Sequence, residues 1–233
     1  KNINQHLIPK NNKEMINVFD YGKLIIHYPK DCFYNNTLTW IDYTNFNKKE
    51  NNQKINFLYH PFFFGPKNIP YKNKPKIEFL VRDNQESLNA GIYYYHESDN
   101  KWIYKKTMIN TNSEKKNSYL ITEIDRGGFY SIIIDKEKPK ILKMIPSING
   151  TYKQENITKL IIDVYDELSG IWDENNFEIL INNKPIIFEY NIYNDQIQYD
   201  FKKTLEKGEH EIEVNIKDNA NNILKVKGSF LII

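Results

Sequence analysis

The side chains of this sequence best able to do chemistry are five histidines and one cysteine. The histidines are isolated in sequence, at His6, His27, His60, His96 and His210. A zinc site needs several nitrogen, sulfur or oxygen ligands brought together, and no close pair of histidines begins one. H-E-x-x-H, G-x-S-x-G and the P-loop are also missing. The sequence therefore predicts no catalytic, metal-binding or cofactor-binding residue.

The single cysteine, Cys32, lies in "KDCFY" at the end of a predicted strand. A nucleophilic cysteine needs a neighbouring base. His27 and His60 are the candidates for that base, and no sequence pattern selects either of them. An unreactive, semi-buried thiol is the favoured interpretation. One cysteine also excludes an intrachain disulfide, and it leaves the cellular compartment open.

His210 and Asp218 lie at the two ends of the stretch "EHEIEVNIKD". The strict alternation of polar and apolar residues in this stretch predicts a strand. Two residues eight apart on one strand lie about 26 Å from each other, which is too far for a catalytic dyad. We expect His210 to cap a core row, hydrogen-bonded to backbone, and Asp218 to begin a turn. The predicted core row continues through Ile212, Val214 and Ile216, with Glu209, Glu211, Glu213, Asn215 and Lys217 facing solvent.

Acidic residues collect around a turn of the second half and at the boundary between the two halves. They are Asp163, Asp166, Glu167, Asp173 and Glu174 near the turn, and Asp135 and Glu137 at the boundary. Calcium prefers oxygen-rich loops of this kind. Ordinary turn chemistry is the favoured interpretation, because no D-x-D-x-D ladder is present.

Aromatic residues make up 14% of the chain and form two triplets, Phe62–Phe64 and Tyr93–Tyr95. Together with Trp40, Trp102 and Trp172 they could stack on sugars or bind a protein partner. Core and cross-strand packing is the favoured role in a chain so rich in tyrosine.

Period-2 hydrophobic patterns dominate the chain and predict an all-β fold, with no amphipathic helix of three turns. Short strands separated by turn residues are typical of sandwiches or barrels. Asn182-Asn183 is predicted to form a two-residue hairpin turn. The predicted strands cover residues 23–28, 76–81, 91–96, 102–105, 119–123, 128–134, 140–145, 160–165, 177–181, 184–188, 196–200, 209–217 and 223–233.

A domain boundary is predicted at "DKEKPK", residues 135–140, where charged residues and Pro139 separate two apolar runs. We therefore expect two tandem β-sandwich domains, at residues 15–136 and 137–233, after an N-terminal extension at residues 1–14. About seven strands in the second domain predict an immunoglobulin-like sandwich.

The charge and the apolar content of the chain limit the kinds of partner that it is expected to bind. The net charge is +2, from 32 basic and 30 acidic residues, so no nucleic-acid partner is expected. No apolar run reaches the roughly 18 residues of a membrane span. The sequence begins at Lys1 and shows no signal-peptide apolar region, which leaves open a mature protein or a piece of a longer one.

Three motifs of the second half resemble bacterial immunoglobulin-like domains. Residues 208–220 follow G-x-H-x-I-x-V-x-I-x-D-x-A, similar to the penultimate hairpin of those domains. "DELSGI", residues 166–171, resembles one of their turns, and Asp135 with Pro139 and Ile141 resembles their entry. The usual Gly-Asn of the final turn is Asn221-Asn222 here.

The first half contributes a weaker resemblance, through Gly22, Leu24, Pro29 and Phe33 and through the run Gly91–Tyr94. With the second half, it resembles the C-terminal region of envelope proteins from the Bacteroidetes–Chlorobi group. Many of those carry an M23 (lysostaphin-like) peptidase domain on their N-terminal side. Of the two zinc motifs of that peptidase, H-x-H does not occur in this sequence, and H-x-x-x-D occurs once, as residues 27–31.

The resemblance implies a non-catalytic structural or binding module of a bacterial cell-envelope or secreted protein. Its role would be a spacer, an adhesin or a docking module, with an envelope protein or a cell-wall glycan as partner. Two alternatives stay open: an accessory C-terminal region of an M23-type peptidoglycan hydrolase, and a carbohydrate-binding module. The periplasm or the cell surface is the expected location.

Overall fold

The computed structural model describes residues 4–43, 46, 55–82, 88–112 and 117–233. Strands account for 56% of the residues that the structure describes, and these contain no α-helix. The predicted all-β class is therefore confirmed. The chain divides into two compact units, residues 1–135 and residues 136–233.

The first unit contains two antiparallel sheets in which several neighbouring strands are not consecutive in the sequence. The six-stranded sheet has the order β1-β4-β5-β11-β7-β8, and the five-stranded sheet has the order β2-β3-β6-β10-β9. The strands are β1 (Asn4–Ile8), β2 (Met15–Phe19), β3 (Leu24–Tyr28), β4 (Thr37–Asp42), β5 (Asn56–Gly65), β6 (Lys76–Arg82), β7 (Ala90–His96), β8 (Lys101–Tyr104), β9 (Met108–Asn112), β10 (Asn117–Glu123) and β11 (Gly128–Ile134).

The core of the first unit follows from alternation along its strands. In β3, Leu24, Ile26 and Tyr28 are buried while the residues between them are partly exposed, as expected for a half-buried strand. They join a cluster of buried apolar side chains that extends from Ile8 to Ile134. This unit therefore has a hydrophobic core of its own.

The prediction that residues 1–14 form an N-terminal extension is wrong. β1 pairs antiparallel with β4, from Asn4 opposite Ile41 to Ile8 opposite Thr37. Ile8 is fully buried in the core. Burying a side chain of this size stabilises a fold by roughly 1.5–3 kcal/mol, so this segment belongs to the first sheet.

β5 is a ten-residue strand that the sequence analysis did not predict, and it contains Pro61. Proline cannot donate to a ladder and is tolerated in strands mainly at edges and bulges. Here the pairing with β11 shifts register between Tyr130 and Ile132, where Tyr130 opposes Phe62 and Ile132 opposes Tyr59. The irregular pairing at this point explains how a proline is tolerated within a long central strand.

The second unit contains a four-stranded sheet of order β12-β14-β18-β17 and a five-stranded sheet of order β13-β20-β19-β15-β16. Its buried apolar residues form a separate cluster between Ile157 and Ile232. The strands are β12 (Lys140–Ile145), β13 (Thr151–Tyr152), β14 (Lys159–Tyr165), β15 (Phe177–Ile181), β16 (Lys184–Pro185), β17 (Glu189–Asn191), β18 (Gln196–Asp200), β19 (Gly208–Lys217) and β20 (Ile223–Ile232).

β19 confirms the predicted core row. Ile212, Val214 and Ile216 are at most 1% exposed. On the other face Glu209 and Glu211 are exposed, whereas Glu213, Asn215 and Lys217 are partly covered by neighbouring strands. The predicted register is therefore correct along the whole strand.

The predicted two-residue turn is also confirmed. Asn182 and Asn183 have φ angles of 50° and 60°, the left-handed conformation that both central residues of a type I′ hairpin require. Leu180 opposes Pro185 across the turn. The strand predicted at residues 184–188 is shorter than expected and ends at Pro185, although the N–H of Ile186 still donates to the carbonyl oxygen of Ile179 at 3.1 Å.

Candidate functional site

Three of the histidines lie in separate surface settings. His27 Nε2 lies 2.6 Å from Glu78 Oε2, and His96 Nδ1 lies 3.1 Å from Asp99 Oδ2. His60 is exposed on β5. Among the described residues, no group of three side chains placed to share a metal contains a histidine or a cysteine. These three histidines lie on three different strands, β3, β5 and β7.

His210 has the structural role that the sequence predicted. It is 7% exposed, and its ring stacks on Phe230 with centroids 5.4 Å apart. Nε2 lies 2.8 Å from the carbonyl oxygen of Glu206, and Nδ1 lies 3.0 Å from Asn182 Nδ2. A carbonyl oxygen can only accept, so Nε2 donates to Glu206 and Nδ1 accepts from Asn182 Nδ2. Asn182 is held in turn by the N–H of Glu211, which donates to its Oδ1 at 2.9 Å.

Cys32 is fully buried, and its surroundings keep the thiol protonated. Its N–H donates to Asn12 Oδ1 at 3.0 Å, and its carbonyl oxygen accepts from the N–H groups of Lys72 and Asn73. Burial raises the pKa of the thiol to about 12. The thiolate is the reactive form of cysteine, so this side chain serves as a small apolar core group, more deeply buried than predicted.

Asp166 confirms the turn chemistry predicted for "DELSG". Its Oδ1 accepts from the N–H of Gly170 at 2.7 Å and from Ser169 Oγ at 3.2 Å. Gly170 has a φ of 72°, which favours glycine at this position. The turn is joined to the next one by Asn219, whose Nδ2 donates to the carbonyl oxygen of Ser169 at 2.9 Å.

Asp218 likewise builds its own turn. Its Oδ1 accepts from the N–H groups of Ala220 and Asn222 at 2.9 and 2.8 Å. Asp166 and Asp218 carry carboxylate oxygens within 4.8 Å of one another, so the fold brings together two acids that the sequence did not pair. The calcium alternative stays a prediction. The other acids of the motif are used elsewhere: Asp173 caps a short 3-10 turn through the N–H of Asn175.

Most of the aromatic residues pack, as predicted. Phe62 and Phe64 are fully buried in the first core, and Trp102 is 3% exposed. Phe63 lies on the outer face of its sheet, stacked against Trp40 with centroids 6.4 Å apart. Trp172 differs from these, because 40% of it is exposed.

The candidate site is an open recess of about 440 Å³ on the four-stranded sheet of the second unit. Its walls are β17, the loop that follows it, and β18. Glu189 lies opposite Gln198, and Asn191 lies opposite Gln196, which in turn lies opposite Asp163 of β14. Side chains directly opposite one another on one face lie about 4.5–5.5 Å apart. The sheet therefore presents two adjoining rows of amide and carboxylate groups, a feature that the sequence analysis missed.

Hydrogen bonds orient the polar side chains of this face. Gln196 Nε2 donates to Asp163 Oδ1 at 2.7 Å, and Gln198 Nε2 donates to Gln196 Oε1. At the rim, Asn191 Oδ1 accepts from the N–H of Tyr193 at 3.0 Å. Chained hydrogen bonds polarise one another and fix side-chain direction, so the face is organised before any ligand arrives.

Tyr193 stands at the edge of the recess and is 97% exposed. The loop that carries it is anchored below by Tyr190, whose hydroxyl lies 2.8 Å from the carbonyl oxygen of Ile171 and 2.8 Å from Asp195 Oδ1. Burial and the bond to Asp195 both raise the pKa of Tyr190, which keeps it a neutral hydrogen-bond donor. A fixed loop thus presents one uncovered aromatic ring beside a polar recess.

No protein-family model and no curated protein matches this sequence. Among solved structures, CopC from Methylosinus trichosporium OB3b is 12% identical with a TM-score of 0.33, over 40% of this chain and 92% of CopC. Dimeric latent PorU from Porphyromonas gingivalis is 13% identical with a TM-score of 0.32, over 69% of this chain and 22% of PorU.

A third structure is the extracellular domain of a protein assigned as a one-component system of B. thetaiotaomicron. It is 9% identical with a TM-score of 0.30, over 97% of this chain and 36% of that one. Similarity at this level carries no functional assignment. A search of the described residues for membrane-spanning helices finds none.

Proposed function

We propose that this chain is a non-catalytic binding module of a bacterial cell-envelope or secreted protein, and that the recess on its second unit is the binding surface. The observation that carries the proposal is the pre-oriented polar face of β17 and β18 beside the uncovered ring of Tyr193. Binding sites combine an apolar contact with a few placed polar groups, and this face has both.

The chemistry of the recess suits binding better than catalysis. Its polar side chains are the amides of Asn191, Gln196 and Gln198 together with the carboxylate of Glu189. Side-chain amides neither gain nor lose a net proton near neutral pH, and general acid–base catalysis requires groups that titrate near the working pH. Hydrogen bonding is what this set of side chains provides.

The envelope setting is supported by the sequence resemblance of residues 135–233 to bacterial immunoglobulin-like domains. The immunoglobulin-like class of the second unit and an attachment to an M23-type peptidase domain rest on the same resemblance and stay predictions. A spacer or docking role is compatible with two units that each have a core of their own.

Co-sedimentation with the insoluble envelope fraction of a Bacteroidetes bacterium tests the proposal. The purified chain should sediment with this material and release no soluble sugar or peptide from it. Gln198→Arg, which places a long charged side chain in the recess, should remain in the supernatant. Release of soluble products by the chain would contradict the non-catalytic assignment.

Lys225→Ala is a matched control. Lys225 is an exposed residue that lines a different recess, of about 260 Å³, on the other sheet of the same unit. The control should sediment like the wild type. Equal sedimentation of Gln198→Arg and the wild type would show that the recess on β17 and β18 is not the binding surface.

A further inference from the structure

We propose that the recess on β17 and β18 binds a neutral glycan, with one pyranose ring stacked on Tyr193 and its hydroxyl groups hydrogen-bonded to the amide and carboxylate rows. This inference rests on the proposed binding function and names the class of ligand. Three features of the face favour this ligand: its hydrogen-bonding groups, its exposed ring and its charge.

The hydrogen-bonding groups of the face match a ligand rich in hydroxyls. A hydroxyl both donates and accepts, and so does each side-chain amide. Two hydrogen bonds, from Gln198 to Gln196 and from Gln196 to Asp163, already occupy part of this capacity. Gln198 Oε1 and Asn191 Nδ2 have no hydrogen-bond partner among the residues that the structure describes. They provide one acceptor and one two-hydrogen donor on neighbouring strands. The carboxylate of Glu189, opposite Gln198, adds further acceptors.

The exposed ring gives the face its apolar contact. Tyr193 follows Asn191 by two residues, and its own N–H donates to the Asn191 side chain. A tyrosine presents an apolar ring with a polar tip, and the C–H face of a sugar ring is apolar while its rim carries hydroxyls. Both kinds of contact lie together at this recess. Ile192, which is 46% exposed, widens the apolar surface.

The charge of the recess favours a neutral ligand. Among its lining residues Glu189 is the one charged group, and Asp163 adds a second carboxylate behind Gln196. The cation in register with Asp163 is Lys143, one strand farther from the recess, on β12. Phosphorylated ligands, nucleic acids and acidic glycans would meet like charge, and the residues that line the recess include no arginine or lysine to pair with them.

The test is binding of the full chain to defined glycans. A glycan array with neutral and acidic oligosaccharides comes first, followed by titration calorimetry with the neutral oligosaccharide that gives the strongest signal. We expect binding to one or more neutral glycans and none to their sulfated or uronic-acid counterparts. A preference for acidic glycans would overturn the inference.

Two variants locate the binding, and a third serves as a matched control. Tyr193→Ala removes the ring, and Gln198→Ala removes amide groups without introducing charge. Each should raise the dissociation constant at least tenfold. Tyr34→Ala removes a 60% exposed tyrosine from the first unit and should leave the constant unchanged. A change of less than twofold in both recess variants would place any glycan binding elsewhere on the molecule and would overturn the inference.

Failure of this inference is distinguishable from failure of the proposed function. If Tyr193→Ala and Gln198→Arg abolish co-sedimentation with the envelope fraction but no glycan binds, the recess is a binding surface for a protein, and the glycan inference is wrong. If the wild type neither binds glycans nor sediments with envelope material, both proposals are wrong.

Discussion

Single residues of β19 decide whether the second unit folds. Val214 is fully buried and opposes Ile179 on one neighbouring strand and Val226 on the other. Glu213, the residue before it, points to the other face, where its Oε2 lies 3.6 Å from Lys227 Nζ. Adjacent positions on one strand thus have opposite surroundings.

We expect Val214→Asp to unfold the second unit, because burying a lone charge costs several kcal/mol against a total stability of about 5–15 kcal/mol. Glu213→Gln, which removes one partly exposed ion pair, should change the free energy of unfolding by less than about 1 kcal/mol. Chemical denaturation monitored by circular dichroism measures both. A native-like transition for Val214→Asp would show that the register is off by one residue.

The thiol of Cys32 gives a second test at this scale. Its complete burial and its raised pKa of about 12 predict no reaction with Ellman's reagent at pH 8 in the native protein. The same reagent should detect one thiol per chain in denaturant. Rapid labelling of the native protein would show that the reagent reaches the thiol and that Cys32 is not buried in solution.

At the scale of elements, Asp125 links the two sheets of the first unit. It lies in the turn between β10 and β11, and its carboxylate accepts from Lys74, just before β6, at 2.7 Å and from Lys105, just after β8. Burial by itself would raise the pKa of Asp125, but the two ammonium groups outweigh it and hold that pKa below its ordinary value.

This lowered pKa predicts a pH-dependent contribution to stability. A carboxyl group with a lower pKa in the folded state stabilises the fold at pH values above its unfolded pKa of about 4, and the contribution disappears as pH falls through the folded pKa. Asp125→Asn should therefore lower stability at pH 7 by at most about 1 kcal/mol, since the group is partly exposed.

The difference between Asp125→Asn and the wild type should shrink as the pH falls below about 4, and thermal unfolding at a series of pH values measures it. Lys67→Ala, which removes the exposed pair between Lys67 and Glu97, controls for a general loss of surface charge. A difference independent of pH would rule out the charge-based explanation.

At the scale of the whole molecule, the buried residues form two separate clusters. One lies between Ile8 and Ile134 and the other between Ile157 and Ile232. Domains with their own cores are able to unfold separately. Defects in one core should therefore stay within one unit.

We expect Val214→Asp to collapse the dispersed amide NMR signals of residues 136–233 while those of the first unit persist. Ile132→Asp, at a fully buried position of the first core, should have the opposite effect. Loss of both sets of signals in either variant would show that the chain folds as one cooperative unit.

The sequence by itself determined the β class, the core row of β19 and the Asn182-Asn183 turn. These features depend on neighbours in the chain, because side chains alternate with a period of two and a tight turn is set by its own φ angles. β12, β15 and β18 were predicted with the bounds that they have in the structure. Burial alternates along β15, whereas the pairing of β12 shifts register between Ile141 and Lys143.

Only the tertiary structure decided which strands are neighbours and what they build together. β5 was missed because the bulged pairing that accommodates Pro61 involves β11, far along the chain. β17 has three residues, too few to show a period, so Glu189 and Asn191 gave no signal of their own. The recess exists because β17, β18 and β14 pair in one register. The pairing of β18 with β14 joins residues distant in sequence, which no local pattern encodes.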